Sequence, residues 1–380
     1  MDALTTPLPK DWEIKTFRDI STINQGLQIP ISQRLKAPTE HAKFYITIQA
    51  LNNRKEFEYI KTYNESVVCH KDDILMTRTG NTGMVITNIE GVFHNNFFKI
   101  NFDRTLINKD FLVYFLSLGQ TQKTILKKAG TSTIPDLNHN DFYSLLIPLP
   151  PLNEQIAIAN VLSDVDHYLY SLDALILKKE GVKKALSFEL LSQRKRLKGF
   201  NQNWQRVRLG DICEIVKGQQ INKISLNNTD KYPVINGGID FLGYTNKFNV
   251  SKNTIAISEG GTCGYVRFMK SDFWSGGHNY SLQKISNKVN NLCLYHILKS
   301  YEKDIMKLGV GSGLKNIQLK ALKDFEILLP PLDEQIAIAN ILSDLDSEII
   351  SLKNKKRQFD NIKKALNHDL MSTKIRVLKK

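Results

Sequence analysis

The sequence predicts an α+β protein: two mixed α/β modules in tandem, each followed by a long helix, with the two helices paired. Three observations carry this expectation. The segment Pro150–Asp166 returns as Pro330–Asp346, with 14 of 17 residues identical at an offset of 180. A repeat of that length in 380 residues marks a duplicated module. Each copy then opens an apolar periodicity in steps of three and four, the signature of one helix stripe. Ahead of each copy lie short alternating apolar runs bounded by turn residues, which read as strands.

In chain order, the first module opens on Trp12, Phe17, Asp19, Gly26 and Ile29, and the second on Trp204, Leu209, Asp211, Gly218 and Ile221, at identical spacings. These residues read as scaffold, with Trp packing and Gly turning the chain. Strands are expected at Phe44–Ile48 and Asp73–Thr77, and again at Tyr232–Ile235 and Thr254–Ser258. A matched glycine turn follows, Arg78-Thr79-Gly80-Asn81-Thr82-Gly83 against Glu259-Gly260-Gly261-Thr262-Cys263-Gly264. Such a turn projects its side chains. Arg78, Thr79 and Asn81 in one copy, and Ser258, Glu259 and Thr262 in the other, carry groups that pair with base edges: guanidinium with guanine, amide with adenine, carboxylate with cytosine.

Helical segments are expected at Lys109–Lys128 and Asn291–Lys307. Each leads to a small-residue turn, holding Thr131, Ser132 and Thr133 in module one and Ser312, Lys315 and Asn316 in module two. Hydroxyl and amide donors beside basic residues suit phosphate oxygens; a plain connecting turn fits equally well. After a last strand the proline pairs fix an extended entry. Asn153 and Asp333, or the prolines Pro151 and Pro331, then start the helices. The stripe runs Ile158, Leu162, Val165, Leu169, Leu172, Ile176, Val182, Leu186, Leu190, and Ile338, Leu342, Leu345, Ile349, Leu352, Phe359, Ile362, Leu366, Leu370. About 40 to 45 residues without proline gives a helix of roughly 60 to 67 Å, too long to stand unpartnered, and the other copy is the expected partner. The basic runs that follow, Arg194–Lys198 and Lys374–Arg376, read as solvated faces or as contacts for phosphates or an acidic partner.

Composition narrows the function. A hydrophobic content of 42% without an 18-residue apolar run, and an acidic start at Met1-Asp2, point to a cytoplasmic protein rather than a membrane or secreted one. Cys69, Cys213, Cys263 and Cys293 lack CxxC spacing and read as free thiols, not zinc ligands. A net charge of +14 is the footprint expected for a polyanion partner. Phosphate-loop, HExxH, Asn/Asp-Pro-Pro-Tyr/Phe and nuclease signatures are missing, so no chemistry is expected of this chain by itself.

The order module, Pro-Pro-Leu-x-Glu-Gln helix, module, Pro-Pro-Leu-x-Glu-Gln helix resembles the specificity subunit of type I restriction-modification systems, over essentially the whole chain. The resemblance implies target-recognition domains at 1–150 and 199–330, a central spacer helix at 151–198 and a distal one at 331–380. It implies that the helices pack as an antiparallel coiled coil with pseudo-two-fold symmetry. Their repeated residues Glu154, Gln155, Ile158, Leu162, Glu334, Gln335, Ile338 and Leu342 are then expected to form the spacer and dock two methyltransferase subunits. Those partners would carry S-adenosylmethionine, and restriction subunits would add ATP and Mg2+, while this chain binds double-stranded DNA, holds no cofactor or metal and is not an enzyme. Because the modules differ (Arg78 against Glu259, Asn81 against Thr262), a split, asymmetric target is expected. The alternatives are a related system with methylation and cleavage on one partner chain, or a coiled-coil nucleic-acid scaffold without sequence preference.

Overall fold

The computed structural model describes residues 8–52, 57–130 and 133–377. The chain divides into two compact units, Met1–Leu172 with Lys355–Lys380, and Asp173–Asn354. Each unit therefore holds one module, the first part of the helix that follows it and the last part of the other helix.

In unit one an antiparallel sheet runs in the order Ser21–Gln25, Phe97–Phe102, Ile74–Thr77, Val85–Ile86. A second sheet orders Tyr59–Ile60, Lys43–Ile46, Gly91–Phe93 and Val68–Cys69, with its middle pair parallel. Glu13–Thr16 pairs with Leu146–Leu149, so the module's entry strand lies on its exit strand. Unit two repeats the scheme. Glu214–Lys217, Asn279–Gln283, Thr254–Ser258 and Val266–Met269 form the antiparallel sheet, and Gln205–Arg208 pairs with Glu326–Leu329. Gly26 and Gly218 sit where the chain crosses another backbone: a Cβ on either would lie 2.2 Å from a carbonyl oxygen, of His94 and of Gly276.

The expected strands are present, with two trimmed: Ile74–Thr77 leaves out Asp73, and Lys43–Ile46 ends before Thr47, which hands over to the short helix Ile48–Asn52. Both expected helical segments are broken in two, Lys109–Leu116 and Gly119–Ala129, then Asn291–Ser300 and Glu302–Lys307. The breaks fall at Ser117-Leu118 and Tyr301, where the chain turns so that both pieces bury their apolar sides in one core.

The long helices are Leu152–Leu191 and Leu332–Met371, 40 residues each. Pro151, not Asn153, starts the first: its carbonyl accepts from the amides of Glu154 and Gln155 at 2.9 and 3.0 Å. Likewise Pro331 rather than Asp333 accepts from Gln335 at 2.9 Å. Asn153 and Asp333 fall inside the first turn and face solvent. In unit one Asp166 pairs with Lys363, and the rings of Tyr168 and Phe359 stand 4.6 Å apart. In unit two Lys183 pairs with Asp346, Lys179 with Glu348 at 2.8 Å and Lys353 with Glu180 at 2.6 Å. Within each unit, then, rising numbers on one helix meet falling numbers on the other, and the packing is antiparallel. Most of the expected stripe is covered, but Val182 and Ile362, at matched positions, are 40% and 46% exposed. Each has drifted off the buried face, as straight 3.6-residue turns do against a shorter repeat.

The Glu-Gln pair at each helix start faces inward. Glu154, 2% exposed, accepts from Trp12 Nε1 at 3.1 Å and from Arg376 Nε and Nη2 at 2.7 and 2.6 Å. Glu334, 1% exposed, accepts from Trp204 Nε1 at 3.0 Å and from Arg196 Nε and Nη2 at 2.8 and 2.7 Å. Each arginine comes from just beyond the end of the opposite helix. Gln155 accepts from Asn108 N and donates to the Leu106 and Pro150 carbonyls; Gln335 does the same with Asn290 N and the Lys288 and Pro330 carbonyls. A buried carboxylate is stable only when paired and hydrogen-bonded, and here both conditions are met. Arg196 and Arg376 thus leave the basic runs in which the sequence placed them as solvated or phosphate-facing.

Replacing Glu154 or Glu334 by Ala should lower unfolding stability by roughly 3 kcal/mol, because a buried indole N–H loses its acceptor and a guanidinium loses its buried carboxylate partner together. Asn153→Ala should stay within about 0.5 kcal/mol. Urea titration of each variant checks the contrast, and equal losses would count against it. A second expectation concerns pH. His296 is buried in unit two, and burial first, then the Lys183 cation, pulls its pKa down to about 4. The unfolded chain takes up a proton near pH 6.5 that the folded module refuses until about pH 4, so stability falls with pH across that window, by on the order of 3 kcal/mol. His296→Asn should flatten that part of the stability–pH curve; an unchanged slope would place the titration elsewhere.

Candidate nucleic-acid interface

The two turns singled out in each module come together. In module one the glycine turn closes the hairpin between Ile74–Thr77 and Val85–Ile86. Thr77 Oγ1 donates to Asn81 O at 2.6 Å and accepts from Met84 N at 2.9 Å. Gly80, Asn81 and Gly83 all adopt positive φ, +64°, +62° and +88°. Gly83 and its counterpart Gly264 (φ +83°) also press on the helices behind them: a Cβ would stand 2.9 Å from Ile125 and 2.7 Å from Met306 N. Only glycine meets both demands. The turn is therefore clamped from behind and presents its other side.

Against that side lies the second turn. Thr82 Oγ1 donates to Pro135 O at 2.6 Å, Thr79 bridges to Asp136, and Leu137 N donates to Arg78 O at 2.9 Å. Arg78 reaches Asp136 side-on, Nε to Oδ1 at 2.8 Å and Nη2 to Oδ2 at 2.5 Å. The ion pair raises the Arg78 pKa, so the guanidinium carries its charge at any physiological pH. Asn81 is exposed at the tip and Thr79 half-buried beside it. Thr133 is exposed; Thr131 and Ser132 lie outside the described residues. His139 and Gln25 complete the polar edge, His139 Nε2 standing 2.7 Å from Gln25 Oε1. Burial, then the Arg78 cation, lowers the His139 pKa and favours the neutral ring.

Module two repeats the backbone and inverts the charges. Glu259 N donates to His278 O, and Ile317 N donates to Glu259 O, both at 2.9 Å, matching Arg78 with Asn96 and Leu137. The hairpin of Gly309–Val310 with Asn316–Ile317 closes over the glycine turn, and a Cβ on Gly260 would strike the Asn316 amide oxygen at 2.2 Å. Ser258 and Glu259, expected to project, do not. Ser258 is 3% exposed at the strand end, at the place of Thr77, and Glu259 is 8% exposed. Lys217 Nζ reaches Glu259 Oε1 at 2.6 Å, and the Tyr280 hydroxyl lies 3.2 Å from the same oxygen. Burial, then this carboxylate, pushes the Tyr280 pKa to about 12. The partners decide the matter: at one backbone position Arg78 pairs with Asp136 in module one, and Glu259 pairs with Lys217, which stands where module one has Gln25, in module two. Thr262 stays half-buried, its amide donating to Gly237 O at 2.7 Å, and Ser312, Lys315 and Asn316 are exposed.

Glu154, Gln155, Ile158, Leu162, Glu334, Gln335, Ile338 and Leu342 are at most 2% exposed. They belong to the spine, but a residue that faces its own module cannot meet a separate subunit, so docking does not fall on them. Sequence reasoning also missed an open groove of about 500 Å3 in module one, lined among others by Arg34, Lys36, Gln49 and Glu58. Both cations reach Glu58, at 2.9 and 3.0 Å, across 22 to 24 residues that no local pattern connects. Three of the four cysteines are buried thiols raised to about 12 by burial; Cys263 is half-buried and raised for the same reason.

Two tandem modules of one plan, each latched to a long helix and each presenting a paired-turn edge, define a duplicated binding scaffold. The family model described as type I restriction modification DNA specificity domain matches residues 9–179 and 201–359, and the chain belongs to that family. A type I restriction enzyme MjaVIII specificity subunit of Methanocaldococcus jannaschii is 24% identical over 97% of this chain and 94% of its own length. A putative MjaX specificity subunit of the same organism is 27% identical over 97% and 95%. A putative type I specificity subunit of Mycoplasma pneumoniae is 38% identical over 41% of this chain and 44% of that relative. Among solved structures, the S subunit of a type I restriction-modification system from M. genitalium covers 97% of this chain and 98% of its own at a TM-score of 0.69 and 21% identity. No helix among the described residues is long and apolar enough to cross a membrane, and they hold no cluster of three or more His, Cys, Asp or Glu side chains suited to a metal ion.

Proposed function

We propose that this chain reads a split, asymmetric site on double-stranded DNA, one half-site per module, and directs methyltransferase and restriction subunits to it without performing chemistry itself. The observation that carries the reading is the paired-turn edge built twice on one backbone plan with different side chains. A structural turn has no need of such divergence; a pair of readers for unlike half-sites does. Thr79, Asn81 and Arg78 in module one, and Thr262, Ser312, Lys315 and Asn316 in module two, are the groups placed to meet DNA. The phosphate-contact candidates of the sequence, Thr131, Ser132 and Thr133, stay with them. Ser258 and Glu259 act from behind it. The excess of Lys and Arg supplies salt-dependent affinity through phosphates.

Docking falls on exposed apolar residues that recur along the helices: Ile156 with Ile336, Tyr170 with Ile350, and Val182 with Ile362. Apolar side chains left in water at matched positions of a duplicated helix suit two copies of one partner. S-adenosylmethionine belongs to those methyltransferase partners, with ATP and Mg2+ on the restriction subunits, in the cytoplasm where the chromosome is.

A single-molecule methylation map of genomic DNA should lose N6-methyladenine at one split motif when this gene is removed. Adding one heptad to both long helices in register should change the number of unread bases and leave both half-sites as they were. A motif untouched by gene removal would sink the reading, and an unchanged gap would sink the spacer role.

A further inference from the structure

The side-on pairing of Arg78 with Asp136 leaves half of the guanidinium without a partner. A guanidinium carries five N–H donors in a rigid plane. Asp136 takes the Nε donor and one from Nη2. Two donors on Nη1 and one on Nη2 remain, one from each nitrogen lying side by side on the end edge, and Arg78 makes no other side-chain hydrogen bond among the described residues. The Arg78 side chain is 29% exposed, and Asp136 holds two of its donors. Its backbone is fixed as well, with N donating to Asn96 O at 2.8 Å and O accepting from Leu137 N. What results is a planar two-donor fork, fixed in direction by a carboxylate from a second loop.

Resting on the reading of the chain as a DNA specificity subunit, we propose that Arg78, held by Asp136, recognises a guanine in the half-site of module one. The fork selects by chemistry. In the major groove only guanine offers two acceptors side by side, O6 and N7; adenine pairs its N7 with an N–H donor, cytosine presents a donor, and thymine one acceptor beside a methyl group. Fixing the fork in advance removes the rotamer entropy that a free arginine loses on binding. Module two has no equivalent. Its matched positions hold Glu259, turned inward to Lys217, and Asn316, whose amide lies over Gly260. The guanine reader therefore belongs to one half-site, which is a physical source for the target's asymmetry. Asp136 is the positioning residue: it makes no base contact and acts by aiming the fork.

The test uses the full chain with its methyltransferase partners in cells, read by single-molecule methylation mapping. Arg78→Lys keeps the charge and the ion pair with Asp136 but has no fork, so folding is preserved. The expected result is a half-site that contains a G·C pair in the wild-type map and loses guanine preference there by about 10- to 100-fold in the variant. The other half-site and the gap stay as they were. Asp136→Asn should relax the same position less strongly, since the arginine remains but its direction is freed. Uniform weakening across all sites with an unchanged motif, in either variant, would assign Arg78 to a phosphate and overturn the proposal, as would an unaltered map. A wild-type chain that directs no methylation would instead overturn the specificity reading, and this inference with it.

Discussion

A carboxylate buried to within 2% of complete occlusion at the start of each long helix is the constraint on which the rest of this structure depends. An unpaired charge at such a position would be prohibitive, so Glu154 and Glu334 are acceptable only because three donors converge on each. Those donors come from places the chain must bring together: the indole that opens the module, and an arginine from beyond the end of the other helix. One side chain thereby fixes the module's entry strand, the beginning of one helix and the end of its antiparallel partner. The glutamine that follows ties down the loop ahead of Lys109–Leu116 or Asn291–Ser300 through two backbone bonds, and a third goes to the carbonyl of Pro150 or Pro330. A module latched in this way has little freedom to rock on its helix, which is what a reading head requires if its register on DNA is to be kept.

The same economy appears at the paired turns. Both modules keep the backbone bonds that join the residue after the central strand to the second turn, and both keep a glycine pressed on the helix behind. Only the side chains outside that framework change. Gln25, Arg78 and Asp136 in module one stand where Lys217, Glu259 and Asn316 stand in module two. The cation moves from the glycine turn to the edge strand Glu214–Lys217, the acid from the second turn to the glycine turn, and what faces outward changes from a charged fork to an amide, hydroxyls and Lys315. The backbone hydrogen bonds of the framework recur in both modules while the side chains it carries are exchanged.

Much of the architecture was legible in the sequence because duplication is a global signal: the offset of 180 marked the modules, the helices and their pairing before any local propensity was weighed. The strands at Tyr232–Ile235 and Thr254–Ser258 followed from alternation, and the paired turns from spaced glycines. What escaped was what depends on long-range geometry. Nothing local distinguishes Arg196 from Arg194 or Lys195, yet only Arg196 reaches Glu334, across 138 residues. A repeated Glu-Gln on a helix reads as an exposed docking motif until the module folds over it. Glu259 looked like an outward group because its neighbours are turn formers, and only the strand pairing shows that it shares a side with Lys217 and Tyr280. Asn153 and Asp333 were reasonable caps by type, but the preceding prolines had already placed a carbonyl there.

The most direct test of the latch is a double-mutant cycle on Glu334 and Arg196, with Glu334→Gln and Arg196→Met measured singly and together by equilibrium unfolding. If the buried carboxylate holds the module through this arginine, the pair should show a coupling free energy of about 1.5 to 3 kcal/mol, with the same cycle on Glu154 and Arg376 giving a similar value. Losses that add to within about 0.3 kcal/mol would mean that the two side chains act independently, and that the helix and module are held together by packing alone.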